Sequence, residues 1–265
     1  MNILYVGDVM GEVGMAVVET VLPNLKRTEH ADLVIAQAEN VTDGRGITVA
    51  DFKRLLTAGV DFCTGGNWTT YRKDIYSALN DPLQPIIRPE NYPPGTPGLG
   101  HKYIKSRYGD VLVISLLGHI VGRDADIQID NPLQTIDRIL AAEASRKRVA
   151  TIVNFHGDYS SEKRIIGYYL DGQVSAVIGD HWHIPTADAD VLPGGSAHIT
   201  DVGMCGSLDS SLGVSLNSVI PRWRDGKQTK NVLERNGRRQ FNALLVQLDE
   251  TTGLAIAVRH IQLIE

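Results

Sequence analysis

At 265 residues, 43% hydrophobic and 22% charged, the chain is long enough to bury a substantial core and has the balance of a soluble globular protein. A formal net charge of −5 argues against a general nucleic-acid or membrane-surface binder, and no apolar run approaches the ~20 residues of a membrane span. Two cysteines, Cys63 and Cys205, do not make a disulfide framework, and the start MNILYVGD lacks a basic signal-peptide region, so a cytoplasmic protein is expected.

In chain order, ILYV at 3–6 has strand length and is followed by Asp8. AVVETVLPNLKRTE has helical character, with Pro23 as a kink point. LVIA at 33–36 is the next strand, with Glu39 and Asn40 beyond its end. TVADFKRLLTAG reads as a helix with Thr48 as N-cap and Gly59 as its stop. FCT at 62–64 enters a tight Gly-Gly turn, and Asn67 and Trp68 stand at its exit. RPENYPPGTPGLG, 88–100, is too rich in Pro and Gly for a regular element and reads as a long ordered loop or a boundary. Strands over VLVISLL (111–117), VATIVNF (149–155), VSAVIG (174–179) and HIT (198–200) follow, with LQTIDRILAAEASRKR expected as the longest helix. The C-terminal FNALLVQLDETTGLAIAVRHIQLIE reads as two strands and a turn. A β-rich end on an α/β start suggests two β-sheets packed together with helices outside. No linker or repeat interrupts the chain, so 1–265 is read as one domain.

Polar residues recur where strands end: Asp8, Glu39, Asn40, Asn67, His156, His181 and His183. In an α/β sheet such ends gather along one edge, where ligands bind. Each residue alone has an ordinary reading as a turn former or helix cap, and Asp8 in particular could cap the first helix. The HWH pair is less ordinary, because residues i and i+2 of an extended segment point the same way and two imidazoles can reach one centre. Carboxylate, amide and imidazole without thiolate suit Mn, Fe, Zn or Mg. The set exceeds one tetrahedral site but suits two metals bridged by Glu39. Two ions about 3.5–4 Å apart are a known solution for phosphate-ester hydrolysis, in which they neutralise charge and activate a bridging water.

The series GDVMG, AEN, GRGIT, GGN, RPENYPPGTPG, FHGDYSSEK, IGDHWHIPTAD and ITDVGMCG resembles, in order and over essentially the whole chain, the YmdB family of metallophosphoesterases. The resemblance implies a calcineurin-like α/β sandwich of two β-sheets flanked by helices. It also implies two metal ions per chain, iron or manganese first and magnesium or zinc next, and hydrolysis of 2′,3′- or 3′,5′-cyclic nucleotides or related phosphodiesters. Matched by motif, Asp8, Asn40 and His183 hold one metal, Asn67, His156 and His181 the other, and Glu39 bridges them. One position departs: the family has GNH, whose His protonates the leaving oxygen, and this chain has GNW. An indole N–H is far too weak an acid for that work. His119, in SLLGHIVG, stands where the family often has Arg, and is either a substitute acid or a solvent-facing or packed residue. Trp68 therefore keeps alive a second reading, a weakly active or non-catalytic metal- or nucleotide-binding regulatory protein. A phosphomonoesterase is a third, and a homo-oligomer is compatible with the sequence.

Weaker signals stay open. Gly44 and Gly46 are expected to let a loop pass the metal site, since GRG lacks full phosphate-loop spacing. SSEK at 160–163 either approaches a substrate phosphate or begins a helix. Arg88 and Asn91 either hold the long loop or touch substrate. Asp201 and Met204 are expected to pack around the metal edge.

Overall fold

The computed structural model describes residues 1–122 and 125–265. The chain opens with β1 (Asn2–Val6) and the short β2 (Asp8–Val9), then α1 (Gly11–Thr28), β3 (Leu33–Gln37), α2 (Val49–Thr57), β4 (Phe62–Thr64) and α3 (Tyr76–Asn80). The middle contributes β5 (His101–Ser106), β6 (Gly109–Leu117), α4 (Pro132–Ala142), β7 (Ala150–His156), α5 (Ser160–Tyr169), β8 (Ala176–Asp180), β9 (Asp190–Val191) and β10 (Ala197–Ile199). It ends with β11 (Met204–Ser207), α6 (Leu216–Asp225), β12 (Arg239–Leu248) and β13 (Ala255–Ile264).

Two mixed sheets result. The first runs β2-β11-β12-β1-β3-β4, with β13 also paired to β12. Within it β1, β3 and β4 are parallel. The second runs β5-β6-β7-β8-β10-β9, with β6, β7, β8 and β10 parallel. Period-2 alternation explains how they stack. Ile3 and Tyr5 of β1 and Ile35 of β3 face the second sheet, where they meet Val113, Ile152 and Ile178. Leu4, Val34 and Ala36 face the other way and pack under Met15, Val18 and Leu22 of α1 and Phe52 and Leu55 of α2. On the outer face of the second sheet, Leu112, Ile114 and Val153 pack against Ile136 and Ile139 of α4 and Ile166 of α5. Strands buried on both faces are unbroken apolar runs, which is why they are visible in the sequence.

Thr48 caps α2 by accepting from Asp51 N, as its position suggested. Two helices differ from expectation. The longest helix is α1, which starts at Gly11 and tolerates Pro23 on its exposed side. α4 stops at Ala142, where Arg146 N and the Arg148 guanidinium turn back onto Glu143 O. β5 escaped notice because HKYIKS mixes charged and apolar residues at a sheet edge, and α6 because LNSVIPRWRD is polar and holds Pro221. Cys63 and Cys205 are both buried and unpaired. No helix among the described residues is long and apolar enough to cross a membrane.

Parallel strands in both sheets point their C-terminal ends at one edge. Asp8 follows β1, Glu39 and Asn40 follow β3, Asn67 follows β4, His156 ends β7, and His181 follows β8.

Candidate metal centre

The seven strand-end residues come together in space. His156 Nε2 lies 2.9 Å from Asn67 Oδ1 and 3.0 Å from Glu39 Oε1. The His156 and His181 rings stand 4.4 Å apart, and Glu39, His156 and His181 each offer a ligand atom within 4.8 Å of the others. Beside them His183 Nε2 is 3.8 Å from Asp8 Oδ1. Asn40 uses its Nδ2 on Gly44 O, which leaves its Oδ1 turned elsewhere. Six of the seven are buried, and His181 is half-buried.

This donor set fits metal ions. Asp8 Oδ1 and Asn40 Oδ1 are buried without a hydrogen-bond partner, an arrangement that native interiors avoid unless something else supplies the charge. His156 Nδ1 faces Asp180 Oδ1 at 2.7 Å, so a proton sits there, and Nε2 stands between Asn67 Oδ1 and Glu39 Oε1. Burial opposes a charged ring, but Glu39 and Asp180 raise the His156 pKa well above its usual value, so these carboxylates call for positive charge. A metal ion would supply that charge in place of the Nε2 proton. His183 Nδ1 donates to Leu212 O at 3.1 Å, which likewise frees Nε2. Burial, with His181 nearby, lowers the His183 pKa to about 4, so the ring is neutral at pH 7 and able to ligate. Burial works to raise the Glu39 carboxyl, but His156 and His181 hold it below its usual range. Burial raises Asp8 well above it, and Asp180 adds to that. Gly66 shows how tightly the chain passes: a Cβ there would lie 2.5 Å from Glu39 Oε2 and closer still to the His156 ring.

A supporting layer was missed in the sequence. Asp180 accepts from Tyr5 Oη (2.8 Å), Asn154 Nδ2 (2.6 Å), Gln37 Nε2 (3.3 Å) and His156 Nδ1. The β7–β8 register sets Asp180 directly beside His156. Asp158 Oδ2 lies 3.3 Å from His181 Nε2. The one available signal was that both carboxylates lie inside motifs, HGD and GDHWH, that also carry His156, His181 and His183. The HWH geometry also differs from expectation. His181 and His183 have φ of 101° and 63°, so they leave a left-handed turn, not an extended segment. Such backbone is strained for non-Gly residues and is found at functional sites.

A cavity of about 530 Å³ opens over this cluster, lined by Glu39, Asn40, His181, His183, Trp68 and Trp182 among others. Trp68 is half-buried at its edge; its backbone N–H donates to Glu39 Oε2 at 2.8 Å, and its ring packs edge-on against Tyr71. His119 lies elsewhere. Its side chain is 66% exposed, its Nδ1 is 3.0 Å from Glu162 Oε1, and it lines a separate cavity of about 280 Å³.

The open signals resolve as structure. Asp8 caps nothing: α1 has no side-chain cap, and Asp8 Oδ2 accepts from His181 N. Lys163, in the first turns of α5, is buried against Asp180 O and Asp201 Oδ2. Asp201 also accepts from Trp182 N and Gly203 N, and Met204 N donates to His183 O, so both brace the His181–His183 turn. Arg88 and Asn91 hold the long loop through Pro89 O, Leu117 and Asp130 O. That loop backs the Gly65–Gly66 turn through Tyr92 Oη on Gly66 O. Gly44 and Gly46 have φ of 76° and 70°, and Gly44 borders the cleft.

A family model described as YmdB-like protein matches residues 4–261. A 2′,3′-cyclic-nucleotide 2′-phosphodiesterase of Bacillus subtilis (strain 168) is 34% identical over 98% of this chain and 96% of its own. The crystal structure of a novel phosphatase from Mycoplasma pneumoniae superposes with a TM-score of 0.92 at 29% identity, over 100% of this chain and 93% of that one. The sulfate thiohydrolase SoxB of Thermus thermophilus aligns at a TM-score of 0.55 and 10% identity, over 94% of this chain and 42% of that one, a likeness of fold alone. The two-sheet α/β sandwich is of the metallophosphoesterase type.

Proposed function

The chain belongs to the YmdB-like family, and we propose that its cleft is the active site of a two-metal phosphodiesterase acting on 2′,3′- or 3′,5′-cyclic nucleotides or related phosphodiesters. The observation that carries this reading is the convergence of buried acceptors with no donor to satisfy them, Asp8 Oδ1 and Asn40 Oδ1 beside a His156 Nε2 flanked by two further oxygens. Asp8, Asn40 and His183 would hold one ion, Asn67, His156 and His181 the other, and Glu39 both. Iron or manganese suits this oxygen and imidazole set, with magnesium or zinc also compatible. When bound, the ions supply charge neutralisation for the phosphoryl oxygens and activation of water.

The chain's own groups do the rest. Asp180 holds the His156 tautomer, and Asp158 orients His181. The Trp68 N–H fixes Glu39 Oε2. Trp68 takes the place of the family's general-acid His, and its indole gives no proton to a leaving alkoxide. His119 is the lesser candidate for that duty, since its imidazole is already engaged by Glu162. Residues 1–265 act as one domain, and the substrate is a free cytoplasmic nucleotide. The same Trp68 favours the second reading, a regulatory protein that binds metal and nucleotide with little turnover. Assay of the manganese-loaded protein on 2′,3′-cyclic AMP and bis(4-nitrophenyl) phosphate separates them. Turnover that disappears in Glu39→Ala is expected; a fully metal-loaded protein inert on both substrates would overturn the enzyme reading.

A further inference from the structure

The cleft does not end at Trp68. A second cavity, of about 760 Å³, lies against Tyr71, Arg72, Thr229 and Lys230, and it shares Arg45, Trp68, Arg222 and Asn231 with the cavity over the metal cluster. Trp68 and Arg45 are thus a common wall, with the Arg45 guanidinium 4.7 Å from the indole centroid. The charge of the far chamber is one-sided. Arg45, Arg72, Arg222 and Lys230 line it against a single carboxylate, Asp43, which pairs with Arg72 at 3.2 Å. The Arg222 guanidinium donates to Thr229 O and Asn231 Oδ1, which orient it without neutralising it. Among the described residues no carboxylate forms an ion pair with Arg45, Arg222 or Lys230. Arg72 Nε also donates to Arg45 O at 2.8 Å, which fixes the backbone from which Arg45 projects. In a chain of net charge −5 this is a local concentration of positive charge, next to a site read as one for phosphodiesters.

Resting on that functional reading, we infer that the far chamber binds a second phosphate of the substrate. The preferred substrate is then a nucleotide with a further phosphate beyond the scissile one. Two sources share this chemistry: the internucleotide phosphate of a short oligonucleotide ending in a 2′,3′-cyclic phosphate, and the 5′-phosphate of a cyclic mononucleotide. Arginines held by neutral acceptors bind phosphate by charge-assisted hydrogen bonds without first breaking an internal ion pair. The nucleoside between the two phosphates would cross Trp68, where an indole face is sequence-tolerant.

The test compares kcat/KM of the metal-loaded protein on three substrates: 2′,3′-cyclic AMP, its 5′-phosphorylated form, and adenylyl-adenosine 2′,3′-cyclic phosphate. A second phosphate is expected to raise kcat/KM about tenfold or more, with the gain shrinking as salt rises. A gain with both extended substrates assigns the chamber to any second phosphate; a gain with the dinucleotide alone assigns it to the internucleotide link. The Lys230→Glu variant, which changes a residue that lines the far chamber and not the cavity over the metal cluster, should cut the gain to about twofold and leave 2′,3′-cyclic AMP within about twofold of its rate. Tryptophan-fluorescence titration with adenylyl-adenosine 3′-phosphate against adenosine 3′-phosphate makes the same comparison without turnover, and about tenfold tighter binding of the dinucleotide is expected. Failure to hydrolyse any of the three would sink the enzyme reading, while the titration would still judge the chamber. Equal binding and equal kcat/KM for extended and unextended ligands, or a gain that survives Lys230→Glu, would overturn the inference.

Discussion

Two clusters of buried charge flank the turn from Asp180 to His183, and they are built on opposite principles. Behind the turn, Lys163 Nζ lies 2.8 Å from Asp201 Oδ2 and 2.6 Å from Asp180 O, with both side chains fully buried. Asp201 fills its remaining capacity with the N–H groups of Trp182 and Gly203. Every charge there has its counterpart. In front of the turn, Asp8, Glu39, Asn40, Asn67 and His156 bring acceptors together faster than donors, and Asp8 Oδ1 and Asn40 Oδ1 have none. Burial of charge therefore does not mark a site by itself. A complete cluster is architecture; an incomplete one is tolerated only where a ligand completes it.

The largest expected effect separates the two directly. Chelation should remove about two ions per chain and abolish phosphodiester hydrolysis. It should also lower the melting temperature, because bound metal stabilises the folded chain by mass action. Adding manganese or iron should restore both. Glu39→Ala should deplete both ions and Asn67→Ala mainly one, as read by elemental analysis. If protein purified without chelator holds no metal and takes none up from manganese or iron, the front cluster is no metal site and the contrast collapses.

The rear cluster should answer to a different variant. Lys163→Met removes the one cation that pairs with Asp201 among the described residues and leaves a buried carboxylate uncompensated, at a cost of about 3–5 kcal/mol. Replacing both partners, Lys163→Met with Asp201→Asn, should recover part of that loss in denaturant unfolding. Unchanged stability in the single variant would mean that the pair is not the brace described here.

The same contrast explains what could be read from the sequence. The front cluster was legible because its residues interrupt apolar strands at their ends, where Asp8, Glu39, Asn67 and His156 each break a hydrophobic run. The strands themselves were legible because both faces are buried. The rear cluster was not, since Lys163 on a helix and Asp201 in a loop are ordinary surface types until tertiary packing covers them. Asp180 became meaningful only through the register that sets it beside His156. The left-handed backbone at His181 and His183 leaves no trace in residue type at all. The basic chamber escaped for a similar reason: Arg45, Arg222 and Lys230 are far apart in sequence, and the helix carrying Arg222 was itself unseen.

A third prediction sharpens the front cluster. Trp68→His keeps the backbone N–H that donates to Glu39 Oε2, so the ligand geometry should survive. A placed general acid is worth about 10²–10⁴ in rate when the leaving group is a poor one. A ribose oxygen needs that proton and a nitrophenolate does not. The ratio of cyclic-nucleotide to aryl-diester kcat/KM should therefore rise about tenfold, short of the full range because the imidazole must settle where an indole stood. An unchanged ratio would show that position 68 does not govern leaving-group protonation.

The smallest expected effect concerns a buried cation that belongs to neither cluster. Lys102 is 6% exposed, and among the described residues its Nζ donates to the carbonyls of Asp81 (2.9 Å) and Gln84 (3.0 Å) and to no carboxylate. Burial lowers its pKa to about 8, and the Asp81 charge opposes that only in part. Below that pH both folded and unfolded chains hold the proton, and the folded chain bears the cost of burying it. Between about 8 and the unfolded value near 10.4, the unfolded chain binds more protons than the folded one. Stability therefore rises with pH across that window, by about 1–2 kcal/mol once partial solvent access is allowed for. Lys102→Met should remove the rise and change stability at pH 7 by no more than about 1 kcal/mol. The same substitution at Lys163 should be severely destabilising, because there the methionine abandons a carboxylate and here it abandons only carbonyls. If the rise between pH 8 and 10 persists in Lys102→Met, this lysine is not its source, and the distinction between buried lysines with and without a carboxylate partner loses its simplest test.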